Sequence, residues 1–553
     1  MPLLPPFLRT MIMVKIRVAR HVVDQAKMAM VELAASVNGG NEEKKFFSLG
    51  VINNSQKDVF KWLGDIGIAM VPDARQELKE ALAKIPAATP GVIATVPGWC
   101  GSTFVSHAVT AGAGNVISAL GNEDQSRWTA KETLEKWQEK IAKPIARHPV
   151  GVFLMCVGLA GPVVRFTNHS SICVLLSGVT TQGKTTMQRL TGSCWGGGGD
   201  REFIESFSKS PQAFEQAARR GRDSVLILDE YRLLHADPVV AAKQFGLLLF
   251  GLHSPMPRER FGDPTSSEDL RGTRLMSSNP TVAELLRLGG IRYEAQEAVR
   301  VLELQIHPTE FSAFRFKTKD AAKRARFVGR YSRRARKYCG EAGRTFVTRL
   351  VDELGRNQRA LQSRIDRYVL EVMGWLALPE SATAVELRLA EQVAIVGAAG
   401  RLASRFGVLP YKKATLKKAM RACWARIREK TLQSLGRDPV LMFMQNLQQA
   451  VPQLTVLAGK RQTAANARPA VGYVKHGKSG KSEFCLTTAG FSSLTAEEEL
   501  VLRWLERRGL LHRDSKKRQT KVVIGRDKKG NPVRVRLYKI VCDADPTREL
   551  EQA

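Results

Sequence analysis

Strand-like and helix-like hydrophobic spacings alternate most regularly between residues 172 and 306. Pro149 to Val164 is an apolar run flanked by Arg147 and Arg165. It is shorter than the ~20 residues a spanning helix needs and contains Gly151, Gly158, Gly161 and Pro162, so it reads as a buried helix. Ile172 to Leu176 is a short apolar strand ending in glycine. Gly183 to Thr191 then has helical spacing, stopped by the run Gly196 to Gly199. Pro211 to Arg219 reads as a helix, Val225 to Leu228 as a strand and Val239 to Phe250 as a helix. Arg274 to Met276 begins a third strand, and Val299 to Ile306 alternates like a fourth. Strands alternating with helices predict an α/β core with a parallel sheet covered on both faces.

The flanks are patterned differently. The first hundred residues predict a small mixed α/β domain, with a helix over Asp73 to Lys84 and a turn at Gly98 to Gly101. Trp128, Leu134, Trp137 and Ile141 predict one amphipathic helix from Trp128 to Ile145. Helical patterns dominate from Ala321 to Thr431. Residues 458–482, rich in Gly, Lys, Ala and Ser, read as a linker. Thr495 to Arg508 predicts a helix stopped at Gly509, followed by strands around Val522 and Val535. The expected domains are therefore 1–105, 106–312, 313–457 and 458–553.

Charge sharpens this division. The chain of 553 residues carries a net charge of +32. Residues 1–312 hold 35 basic and 31 acidic side chains, a net of +4, whereas residues 313–553 hold 50 and 22, a net of +28. A nearly neutral half joined to a strongly basic half predicts a machine domain beside a polyanion-binding region, with nucleic acid the commonest polyanion. The eight cysteines are scattered with no C-x-x-C pair, which disfavours a zinc ribbon or disulfide scaffold and favours a reducing cytoplasm. No membrane partner is expected. The N-terminal run has its basic residues after its apolar stretch, unlike a secretion signal.

The chemistry concentrates in two motifs. Gly178-Val179-Thr180-Thr181-Gln182-Gly183-Lys184-Thr185, followed by Thr186, fits G-x-x-x-x-G-K-[ST] between a strand and a helix. Such a loop turns its amides and a helix N-terminus towards phosphates, and its glycines let the backbone approach them. Lys184 is expected to reach the β and γ phosphates of ATP, and Thr185 to offer its hydroxyl to Mg²⁺. Val225 to Leu228 ends in Asp229-Glu230. Asp229 is expected to hold Mg²⁺ and Glu230 to polarise the attacking water. The 45-residue separation of Asp229 from Lys184 suits adjacent strands joined by crossover helices. Asn279, with Ser277 and Ser278 behind it, could touch the γ phosphate or simply belong to a turn before Pro280. Arg258 and Arg260 fit either a hairpin tip facing a channel or a solvated loop. Arg287, Arg292 and Arg300 are candidates for an arginine presented to a neighbouring site.

The C-terminal pattern suggests a further nucleic-acid surface. Arg513, Lys516, Lys517, Arg518 and Lys521 precede a strand, Lys528 to Asn531 resembles a hairpin tip, and Arg534 and Arg536 alternate with Val533 and Val535. Helix then charged β-ribbon is the outline of a winged helix, with a solvated surface as the alternative.

PGWCGSTFV, ETLEKWQEKIA, GLAGPVV, LLSGVTTQGKTTMQRLTGSCWG and EAQEAVRVLELQI resemble a family first named only as a domain of unknown function and carried by mobile elements. Its members include the Cch-type, MCM-like replicative helicases of the AAA+ class. The likeness is tightest over about residues 95–310 and extends loosely through EAGRTFVTRL and GLLHRDSKKRQTK. It implies ATP binding at Gly178 to Thr186, metal at Asp229, hydrolysis at Glu230 and DNA contact at Arg258 and Arg260. It leaves Arg292 and Arg300 as trans-acting arginines and Arg388 as a lid-helix candidate. Two stretches depart from the family pattern. Met276 to Asn279 replaces the usual end of the third strand, and Glu294-Ala295-Gln296 replaces an Ala-Gly-Gln pattern. The expectation is thus a P-loop AAA+ core with a helical lid and a winged-helix-like domain, working as a homohexameric helicase or translocase on single-stranded or forked DNA. Replication-origin factors or a primase are the implied partners. A DNA loader, remodeller or packaging ATPase, or a nucleotide-switched initiator, is the alternative.

Overall fold

The computed structural model describes residues 14–550 apart from 24–28, 38–39, 69–71, 113, 121, 181, 198–202, 254–269, 308–311, 315–319, 437–438, 458–468, 478–480, 496–497, 515–516, 527–528 and 530. At its centre is the helix α1 (Pro149–Val164), in which every residue from Val150 to Val164 is buried. It has no polar face because it is covered on all sides. Gly161 lets it lie directly on the chain at Ser224, whose backbone a Cβ would strike.

The parallel sheet beside α1 follows from five strands, with helices in the crossovers. They are β1 (Ser171–Ser177), β2 (Glu205–Ser206), β3 (Val225–Asp229), β4 (Gly272–Ser277) and β5 (Leu302–Gln305), in spatial order β2-β3-β4-β1-β5. All neighbouring pairs are parallel. The helices α2 (Lys184–Gly192), α3 (Pro211–Arg220), α4 (Pro238–His253) and α5 (Val282–Leu288) alternate with them. Buried β strands read as continuous apolar runs, as β1 and β3 do. The expected adjacency of the first and third of these strands is corrected: β4 lies between β1 and β3 and pairs with both. The edge strand β2 went unread because only two residues pair. It is fixed by Glu205, whose buried carboxylate meets Arg127, Lys209 and Arg220.

The N-terminal residues form the sheet Glu43–Ser48, Ala29–Val37, Val14–Val23, Thr89–Pro90, in that order, with helices Lys57–Asp65 and Pro72–Ala83. Two local readings change. Gly98–Cys100 is a strand paired with Thr103–Val105, not a turn. Its Trp99 donates its backbone N–H to Asp223 and its indole N–H to the Pro162 carbonyl, both at 2.9 Å, which pins this small sheet to α1. The expected helix from Trp128 to Ile145 is split. Asn122–Trp128 is a 3₁₀ turn, and helical structure restarts at Leu134 with Thr133 as its cap. Glu132 sits at φ 67°, so the helix cannot run through it.

Beyond the sheet come α6 (Ala321–Lys337), α7 (Glu341–Arg356), α8 (Gln358–Leu376), α9 (Ala384–Arg405) and α10 (Lys413–Ser434). Helices α9 and α10 pack on α1. The C-terminal sheet corrects the linker reading. Gly472–His476 and Lys481–Leu486 are antiparallel strands, and the second pairs with Pro532–Asp543. Tyr473, Val474, Phe484, Cys485 and Leu486 are buried there, among glycines and lysines that disguise the alternation. Val474, Phe484 and Leu486 share one core with Val440, Phe443, Met444 and Leu447 of the helix Pro439–Ala450, while Tyr473 and Cys485 pack with Leu537 in another cluster. The expected boundary at 457/458 therefore cuts one core. Glu498–Arg507 is the helix expected over Thr495 to Arg508, and Thr520–Arg526 pairs with Pro532–Asp543 as the charged ribbon.

Candidate functional site at the ends of the parallel strands

The loop after β1 is shaped by two glycines. Gly178 sits at φ 130°, where a Cβ would strike the Ile306 carbonyl. Gly183 sits at φ 84° and caps α2; a Cβ would lie 2.9 Å from the Phe314 ring. Lys184 begins α2 and is buried. Its ammonium donates to the carbonyls of Gly178 at 2.5 Å and Val179 at 2.9 Å, and to Asn279 Oδ1 at 3.2 Å. Burial lowers its pKa, and the carboxylates of Asp229 and Glu230 act in the opposite direction.

The β3 end reaches the same place. Thr185 Oγ1 donates to Asp229 Oδ2 at 2.9 Å. The other carboxylate oxygen accepts from Ser277 Oγ on β4 and from the Glu230 backbone N–H. Glu230 is exposed and sits at φ 64°, in the left-handed region. Such a conformation in a glutamate costs about 1–3 kcal/mol and clusters at functional sites. Because β4 is inserted between β1 and β3, Ser277 and Asn279 stand between the two motifs. Glu303 lies behind them: its carboxylate accepts from Ser177 Oγ at 2.5 Å and from the Val282 N–H at 3.3 Å, tying β1 to the start of α5. Burial pushes that carboxyl's pKa up.

These groups line a cavity of about 700 Å³. Thr180, Gln182, Gly183, Lys184, Thr185 and Thr186 form one wall, and Asp229, Glu230, Ser277, Ser278 and Asn279 another. A third wall comes from Arg324, Ala325, Val328, Gly329 and Ser332 of α6. Sequence reasoning missed this wall and Arg189, which lines the cavity and donates to Ser332 Oγ at 2.9 Å. Small and apolar positions at 325, 328, 329 and 332 were the signal, hidden among arginines. The oxygens of Thr185 and Asp229 form a hard donor pair suited to Mg²⁺.

The other candidates are dispersed. Arg292 is exposed beside an open pocket of about 540 Å³ that Arg287, Tyr293, Glu294 and Ser434 also line. The Arg300 guanidinium lies 4.1 Å from the Phe250 ring centre and donates to the Gln296 carbonyl. Neither lines the cavity among the described residues. Arg388 is exposed on α9. Thr181, Arg258, Arg260 and Lys516 lie outside the described residues. Arg518 is engaged by Glu499 at 2.6 Å and Glu506 at 3.0 Å, and Arg513 by Glu506 at 3.3 Å. Lys517 is exposed.

A family profile described as Domain of unknown function (DUF927) matches residues 6–241, less than half of the chain. No curated protein matches. Among solved structures, the chain is similar to the Cch active helicase of SCCmec type IV, with a TM-score of 0.54 and 13% identity over 97% of this chain and 95% of that one. At that identity the likeness shows a shared fold, over nearly the full length of both chains. The apo A form of the NrS-1 C-terminal region scores 0.28 at 12% identity over 70% and 87%, too low to carry an argument. Among the described residues, no helix is long and apolar enough to cross a membrane.

Proposed function

We propose that this chain is an ATP-dependent DNA helicase or translocase with a P-loop core of the AAA+ class. One observation carries the reading: Lys184, Thr185, Asp229, Glu230 and Asn279 come from three strand ends and converge on one cavity. Lys184 is placed to exchange its contacts with the Gly178 and Val179 carbonyls for phosphate oxygens. Thr185 and Asp229 would hold Mg²⁺, which supplies charge neutralisation on the phosphates. Glu230 lines the cavity, where its carboxylate would orient a water, and Asn279 senses the phosphate end through Lys184. The fold likeness to the Cch active helicase supports a helicase-type motor with DNA as the polymer acted on.

The arrangement as a homohexamer, with Arg292 or Arg300 completing a neighbour's site, rests on their exposure or partial exposure away from their own cavity. The helix Glu498–Arg507 and the ribbon Thr520–Arg526/Pro532–Asp543 support a winged-helix-like DNA contact involving Arg513, Lys517 and Arg518. Strand displacement on tailed duplexes of both polarities, with ATP, tests the reading. ATP-dependent unwinding is expected on one polarity. ATP hydrolysis stimulated by DNA but without displacement would instead indicate a loader or packaging motor.

A further inference from the structure

Helix α6 has two opposed faces. At 3.6 residues per turn, Ala325, Val328 and Ser332 fall on one side, and that side lines the cavity. Lys323, Arg326, Arg330, Arg333 and Lys337 recur at spacings of three and four on the opposite side, and all five are exposed. No Asp or Glu occurs between Ala321 and Lys337. Lys323 lies 3.9 Å from the N-cap Asp320, whereas Arg326, Arg330 and Arg333 have no ion-pair partner among the described residues. At 1.5 Å per residue the row is ~21 Å long, the axial span of about six phosphates on one strand of a duplex.

We propose that this outer row binds the phosphate backbone of duplex DNA, and that the bound backbone alters ATP turnover in the cavity on the helix's inner face. The second half rests on the ATP-site reading above. Charge selects a polyanion, and spacing selects a regular one. The row carries no aromatic side chain, so it lacks the stacking platform that single-stranded binding uses. Two contacts connect the faces to the phosphate loop. Arg189 of α2 donates to Ser332 of α6. Phe327 and Tyr331 of α6 pack on Phe314, the ring that lies against Gly183. A shift of α6 towards a bound backbone would therefore be felt at the start of α2.

The test uses the full chain and the triple variants Arg326→Ala/Arg330→Ala/Arg333→Ala and Arg326→Lys/Arg330→Lys/Arg333→Lys. Anisotropy of a labelled blunt duplex and of a labelled single strand is measured across a salt series. Fluorescent ATP-analogue binding and ATPase rate, with and without duplex, are measured alongside. The alanine variant is expected to lower the magnitude of the duplex salt slope by about 2.7, which is ~0.9 for each lost contact. It should also abolish the change in ATPase caused by duplex while keeping its affinity for the analogue. The lysine variant should retain the slope, which separates charge from folding. An alanine variant that binds duplex with the wild-type slope, or a deficit confined to the single strand, overturns the surface. Duplex binding lost with stimulation intact overturns the coupling. If the wild-type chain binds no ATP analogue, the cavity reading fails, while the duplex measurement still decides the surface.

Discussion

The hydroxyl of Thr185 and the carboxylate of Asp229 meet at 2.9 Å, although 44 residues separate them in the chain. That contact closes the first turn of α2 against the end of β3, with Glu230 one residue further on. Glu230→Gln should keep nucleotide binding and lower turnover by roughly 10²–10⁴-fold, the usual share of a positioned acid or base. Equilibrium binding of a fluorescent ATP analogue and a steady-state phosphate-release assay check this. A Glu230→Gln protein that hydrolyses at the wild-type rate removes Glu230 from the mechanism.

Lys184→Ala should fail earlier, at binding. Asn279→Ala should differ from it, because Asn279 meets the ammonium at 3.2 Å while two backbone carbonyls also hold it. Affinity for the analogue should fall less than fivefold and turnover by more than tenfold. Equal losses in both quantities would make Asn279 a structural turn residue.

Gly183→Ala tests the loop. Its φ of 84° and the Phe314 ring 2.9 Å from the added Cβ act together. A cost of about 1–3 kcal/mol is expected for the backbone strain alone, read as a lower denaturation midpoint. Combining it with Phe314→Leu should recover only the steric part. Full recovery in the double variant would show that the left-handed conformation is not required.

Arg292→Ala should leave analogue binding intact and suppress hydrolysis. Mixing it with Lys184→Ala subunits should restore some activity at hybrid interfaces. Arg300→Ala is expected to be milder, since that guanidinium is already held over Phe250 and by the Gln296 carbonyl. The absence of recovery in mixtures shown by mass to be hexameric would exclude both.

The C-terminal unit should be removed at Gly436 rather than at residue 458. A cut at 458 strands Val440, Phe443, Met444 and Leu447 without the strands they pack on. The chain ending at 436 should keep basal ATPase and lose DNA affinity. The chain ending at 457 should aggregate, as seen by light scattering, because that apolar face is bared. Equal solubility of the two would contradict a shared core.

Most strands and helices from 149 to 306 were legible because their periods are unmixed, as in Val225 to Leu228 next to Asp229-Glu230; β2 and α5 were not, being only two and seven residues long. Lys184 and Asp229 could be paired from their motifs, but the insertion of β4 between them could not. Strand order is decided by crossovers and leaves no mark on local periodicity. Arg518 was legible as a cation and illegible as a paired one, since Glu499 lies 19 residues away on another element. The cavity wall at Ala325, Val328 and Ser332 was masked by eight basic residues sharing the same helix. Glu132 and Glu230 adopt left-handed backbone that no side-chain pattern announces.

Synthesis of the chain meets a particular hazard in α1. Its apolar surface is covered by α9 and α10, which end roughly 270 residues later, so at ~5–20 residues per second it leaves the ribosome roughly 10–50 s before its cover exists. Through that interval a sixteen-residue apolar segment lacks the cover that α9 and α10 give it. The strands β1 to β5 can pair in the meantime, but only on one of its sides. The burial of α1 is therefore completed only once Ser434 has emerged, however early its own sixteen residues are made.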